Sequence, residues 1–117
     1  MSRFAPKLIP EDEAKAIIKA KLDWILSVCT PLKVFVFGSA ARSEMTDHSD
    51  VDLALIFEDE VELKSARNVV FSRSPDDQWP QDILLFTLQD FDRKKSLGGV
   101  CFLIATEGLC LFERNKS

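Results

Sequence analysis

Apolar positions along this chain change their period several times, and each change marks an element. Ala14, Ile17, Ile18, Leu22, Ile25, Leu26 and Cys29 recur at the spacing of one helix face. Pro10 stands at the first turn and Glu11, Asp12 and Glu13 at the positive end of the dipole, which predicts a helix after Pro10 that ends near Thr30 and Pro31. The run from Leu32 to Phe37 is β-branched and aromatic, as in a buried strand, and stops at Gly38. From Ser39 to Ser49 helix formers give way to turn formers, which predicts a short helix and then a loop. Asp50 to Phe57 reads as a second strand, and Val61, Leu63, Ala66, Val69 and Val70 as a second helix behind the acidic turn Glu58-Asp59-Glu60. Ser72 to Gln81, with two prolines, is the clearest loop. Asp82 to Thr87 is apolar on both faces, as a central strand would be, and Gln89 to Ser96 reads as a polar helical turn and connector. Leu97 to Thr106 can form a last helix with Gly108 at its C-cap, before a short strand from Leu109 to Phe112. The order α-β-α-β-α-β-α-β predicts an α/β (α+β) fold, a mixed sheet of about four strands flanked by helices.

Length and charge narrow the class. At 117 residues the chain has the size of one domain, 1–117, without room for a second substrate-binding domain. No apolar run approaches the roughly 20 residues of a membrane helix, and the N-terminus lacks the apolar core of a secretory signal. Cys29, Cys101 and Cys110 form neither a Cys-x-x-Cys pair nor an even-numbered framework, so packing is the simpler role and a reducing cytoplasm the expected compartment. A net charge of −4 and a pI near 5.0 argue against a nucleic-acid coat, which depends on clustered cations. Arg93-Lys94-Lys95, the densest basic cluster, reads as a solvated face or a partner contact.

The chemistry concentrates between Val34 and Phe57. At Gly38 the chain can take a backbone conformation, or a close approach, that a Cβ would forbid. Asp50 and Asp52, two apart in a strand, project to the same side. Paired carboxylates repel unless a divalent cation lies between them, and one or two carboxylates plus substrate phosphates are the usual surroundings of Mg²⁺. The backbone N–H groups around Ser39 fall where a predicted helix begins and could hold a phosphate. Arg42 could add charge toward that phosphate or simply pair with Glu44 or Asp47. Nothing rests on His48, the single histidine. Trp24 and Trp79 are expected to pack, although Trp79 lies close enough to Asp82 for contact with a base to be an alternative.

Glycine-serine, a ten-residue spacer and Asp-x-Asp, here Gly38, Ser39, Asp50 and Asp52, resembles the signature of the DNA polymerase β-like nucleotidyltransferase superfamily, and in particular its minimal members. That family carries a third acidic residue on a neighbouring strand, and Asp82 matches it. One position departs: the family often has glycine shortly after the arginine of the turn, where this chain has Ser43. The resemblance implies a polymerase β-like core, Asp50, Asp52 and Asp82 as catalytic residues and metal ligands for two Mg²⁺ ions, and Gly38, Ser39 and Arg42 at a nucleoside triphosphate, ATP. It further implies an acceptor on another polypeptide, a HEPN-domain protein. The pair would act as a toxin-antitoxin module, with AMP passing to a tyrosine of the toxin. Two other functions fit the same residues: an antitoxin that masks the HEPN partner without turnover, and a small-molecule nucleotidyltransferase whose acceptor pocket is completed by dimerisation; a homo- or hetero-oligomer is compatible with each.

Overall fold

A computed structural model of the chain describes residues 5–72 and 79–114. Helix α1 (Glu11–Val28) leads into strand β1 (Lys33–Phe37), and a single 3₁₀ turn (Gly38–Ala40) follows. Strand β2 (Val51–Phe57), helix α2 (Glu60–Ser72), strand β3 (Gln81–Thr87), helices α3 (Leu88–Lys94) and α4 (Gly99–Glu107) and strand β4 (Leu109–Glu113) complete the order. The sheet runs β3-β2-β1-β4, with β1 antiparallel to both β2 and β4, and β2 parallel to β3. It is the mixed four-stranded α/β arrangement expected from the sequence.

Alternation along the strands divides the core into two layers. Val51, Leu53, Leu55 and Phe57 of β2 join Val34, Val36 and Ile83 beneath α1 and α2, with Ile25, Leu63, Ala66 and Val70 as the helix contacts. Ala54 and Ile56 face the other way and pack with Phe35, Phe37, Leu84 and Phe86 against Phe91, Cys101 and Ile104 of α3 and α4. A sheet buried on both faces needs apolar residues at odd and even positions alike, which is why β2 shows no polar alternation after Asp52.

The helix starts follow from local chemistry. Asp59 accepts the N–H of Glu62 on its side chain at 2.9 Å and so caps α2, and Thr87 accepts that of Asp90 at 3.2 Å to cap α3. No described helix is long and apolar enough to cross a membrane.

Four expectations need correction. Asp82 to Thr87, expected as a central strand, lies in β3 at the edge of the sheet, its apolar positions covered by helices on both faces. The helix expected after Ser39 is only the 3₁₀ turn, because Ser43 takes φ 58°, outside the right-handed region, and the Glu44 N–H turns back to the Ser39 carbonyl at 2.8 Å. The last helix begins at Gly99 instead of Leu97: Gly98 and Gly99 have φ 93° and 75°, so Leu97 is left outside it and exposed. Cys29 and Cys101 are packed, with burial pushing the Cys29 thiol up to about 11, whereas Cys110 is exposed. The sequence also gave no sign that residues 7–9 strap the loop before β2. Leu8 bridges Thr46, and the Ile9 N–H donates to the Met45 carbonyl at 3.1 Å.

Ser43 occupies, with a side chain, a conformation that glycine takes freely. A Cβ residue there bears about 1–2 kcal/mol of backbone cost, offset in part by the extra entropy that glycine loses on folding. Ser43→Gly should therefore stabilise the fold by about 0.5–1 kcal/mol, read as a higher urea midpoint at unchanged slope.

Candidate active site

The site is assembled where three strand ends meet. In the parallel β2–β3 register Asp52 is the direct neighbour of Asp82, and in the antiparallel β1–β2 register it faces Phe37. Asp52 is in phase with Ala54 and Ile56, and Asp82 with Leu84 and Phe86, so both carboxylates project to the face covered by α3 and α4. Asp50 precedes β2 by one residue, two positions before Asp52. Asp50 and Asp82 are exposed and Asp52 is half-buried. Asp82 is thus neither remote from the pair nor turned into the core.

Gly38 closes the site from the β1 side. Its φ of +71° is a conformation that side chains rarely adopt, and a Cβ placed there would stand 2.3 Å from Asp52 Oδ2. Both reasons for a glycine hold at this position, and the group that makes the close approach is the Asp52 carboxylate. Ser39 follows, half-buried, at the start of the 3₁₀ turn, where the first N–H groups have no partner within the helix.

Electrostatics single out Asp52. Its carboxyl is raised above the ordinary value of 3.8, first by removal from water and then by the charges of Asp82 and Asp50, while Arg42 acts in the opposite sense. A carboxyl with a raised folded-state pKa contributes stability below its unfolded value of 3.8 and loses it as pH rises through the folded value. Asp52→Asn should accordingly gain stability over the wild type as pH goes from below 3.8 to neutrality, a widening gap visible in urea midpoints measured across that range.

The remaining candidates divide. Arg42 is exposed and pairs with Glu44 at 3.3 Å, one of the two partners expected, yet its charge still reaches Asp52. His48 is exposed, 3.9 Å from Asp47. Trp24 and Trp79 both pack against the α1–α2 core, and the Trp79 indole N–H donates to the Ser49 carbonyl at 2.9 Å. Residues 73–78, the middle of the predicted loop, lie outside the described residues.

The surprise is Lys21, wholly buried on α1, with Nζ donating to the Trp79 carbonyl at 2.5 Å. A signal existed in the sequence. Position 21 falls between Ile18 and Ile25 on the apolar stripe, where a lysine is out of pattern.

Donor chemistry suits a hard divalent cation, because Asp50 and Asp82 repel the Asp52 carboxylate and a cation relieves that repulsion. Among the described residues no group of three or more Asp, Glu, His or Cys side chains is placed to hold a metal ion by itself. A Mg²⁺ site of one or two carboxylates completed by phosphate oxygens and water does not require one.

The mixed sheet thus sets carboxylates of neighbouring parallel strands beside a glycine turn. Residues 21–117 match the family described as polymerase beta, nucleotidyltransferase, and the chain belongs to it. Among curated proteins none matches. A crystal structure from Sulfolobus solfataricus, of a protein whose own description as a nucleotidyltransferase is provisional, is similar at a TM-score of 0.56 and 19% identity, over 97% of this chain and 94% of that one. At that identity the likeness shows the fold alone.

Proposed function

We propose that this nucleotidyltransferase domain moves AMP from ATP to a hydroxyl of a partner protein, a tyrosine of a HEPN-domain toxin, and so acts as an antitoxin. The observation that carries the chemistry is the Asp52–Asp82 pairing in register, with Asp50 beside it and Gly38 held against the Asp52 carboxylate. In the reaction the acceptor oxygen attacks the α-phosphorus. A new P–O bond forms as the bond to the oxygen bridging to the β-phosphate breaks, and pyrophosphate leaves with that electron pair.

Asp50 and Asp52 would hold the divalent ions and Asp82 would complete the second site. Bound there, such ions supply neutralisation of the triphosphate and acidification of the attacking hydroxyl. Asp82, exposed as Asp50 is, would accept the hydroxyl proton. The Gly38–Ser39 backbone and the Ser39 hydroxyl are suited to the β,γ-phosphates, with Arg42 adding positive charge once released from Glu44.

Calorimetry and intact-mass measurement test this together. ATP should bind more tightly in Mg²⁺ than in chelator, and a HEPN-domain partner incubated with the protein, ATP and Mg²⁺ should gain the mass of one AMP residue. Equal ATP affinity in both buffers would remove the metal role. A partner that is neutralised without gaining mass would make the protein a masking antitoxin.

A further inference from the structure

Lys21 is the most heavily buried charged group among the described residues, and it lies on the far side of the sheet from the carboxylates. Withdrawing an ammonium from water costs several kcal/mol unless hydrogen bonds replace the lost solvent. A leucine or methionine of similar size would fill the space between Ile18, Leu22 and Ile25 without that cost. Unlike them, Lys21 donates to the Trp79 carbonyl at 2.5 Å.

From Trp79 a continuous set of hydrogen bonds reaches both sides of Asp50. The Trp79 indole N–H donates to the Ser49 carbonyl at 2.9 Å, and the Val51 N–H donates to the Pro80 carbonyl at 2.9 Å. Gln81 is then in register with Val51, and Asp82 with Asp52. The Trp79–Pro80 segment therefore sets how β3 enters the sheet beside β2, at the end where the carboxylates lie. Among the described residues Arg42 is the cation that lowers the Asp52 carboxyl, and the Lys21 ammonium reaches the site through the Trp79 backbone.

We propose that Lys21 is a positioning residue for the carboxylate site: by anchoring the Trp79–Pro80 segment it fixes Asp82 relative to Asp50 and Asp52. This rests on the function proposed above. Lys21→Met keeps the volume and removes the donor, and Lys21→Arg keeps a cationic donor. Trp79→Phe breaks the link to Ser49 while leaving the buried ammonium in place.

Each variant is compared with the wild type in three measurements: amide NMR shifts, Mn²⁺ affinity by electron paramagnetic resonance in the presence of ATP, and steady-state transfer. Lys21→Met should remain folded, with shifts concentrated at residues 49–52 and 79–82. Its Mn²⁺ affinity should fall by about tenfold or more, as when groups that orient metal ligands are removed. The turnover number should fall while KM for ATP stays within about twofold, since the loss is in alignment and not in nucleotide binding. Lys21→Arg should recover most of the loss, and Trp79→Phe should reproduce it in weaker form.

A folded Lys21→Met with wild-type Mn²⁺ affinity and undisturbed amides at Asp50, Asp52 and Asp82 overturns the proposal. Should Lys21→Met not fold, a Trp79→Phe protein with wild-type affinity and amides overturns it equally. The shifts and the Mn²⁺ affinity are read without turnover. A wild type that binds Mn²⁺ and transfers nothing therefore refutes the proposed reaction while leaving this test intact, and if the wild type binds no Mn²⁺ the amide shifts alone decide.

Discussion

Asp50→Asn combined with Asp52→Asn should lower nucleotidyl transfer by more than about a thousandfold, because the double variant loses both the metal ligands and the charge that balances the cations. The fold should survive. Asparagine is nearly the size of aspartate, and the Asp52 oxygen that Gly38 accommodates is replaced by an atom of similar radius. Removing two charges also removes the burial cost and the repulsion that together raise the Asp52 carboxyl, so the melting temperature of the double variant at neutral pH should equal or exceed that of the wild type. Intact-mass measurement on the partner reports transfer and a thermal melt reports stability. A double variant that still adds AMP to its partner would remove Asp50 and Asp52 from the chemistry.

Gly38→Ala should destabilise the protein by about 2–4 kcal/mol, combining the backbone cost of a positive φ with overpacking against a neighbour. Displacement of the Asp52 carboxylate should carry most of the transfer activity away with it. The clash is with Asp52 Oδ2 at 2.3 Å, so the same glycine substitution made in an Asp52→Ala background should cost only the backbone part. The cycle of urea midpoints should therefore show a coupling of about 1 kcal/mol or more between the two positions. Additive effects would mean that the glycine answers to conformation alone.

How far the site was legible depended on whether the relevant interaction was local. Asp50 and Asp52 share a face because strand alternation is a property of neighbouring residues, and Asp82 was found because it opens an apolar run of strand length. Gly38 was recognised as a point of close approach, but what approaches it, Asp52, becomes its neighbour only through β1–β2 pairing. The extent of the turn after Ser39 was misjudged because Ala40-Ala41-Arg42 favours a helix locally, while Ser43 and the return bond from Glu44 end it after one 3₁₀ turn. The role of Lys21 is illegible for the converse reason. Its partner Trp79 is 58 residues away in the chain, so helical periodicity could show that a lysine was out of place but not what it was for.

The order β3-β2-β1-β4 leaves the carboxylates unequally held. Asp52 belongs to a strand bonded on both sides and buried through most of its length, and Asp50 adjoins it. Asp82 belongs to an edge strand that, among the described residues, has β2 on one side and no strand on the other. Backbone groups on such an edge open to solvent through small local fluctuations, whereas those of a central strand exchange only when much of the fold gives way. One wall of the site is therefore rigid and the other compliant. The bonds of Trp79 and Pro80 with Ser49 and Val51 tie that wall to the central strand at the end where the carboxylates lie.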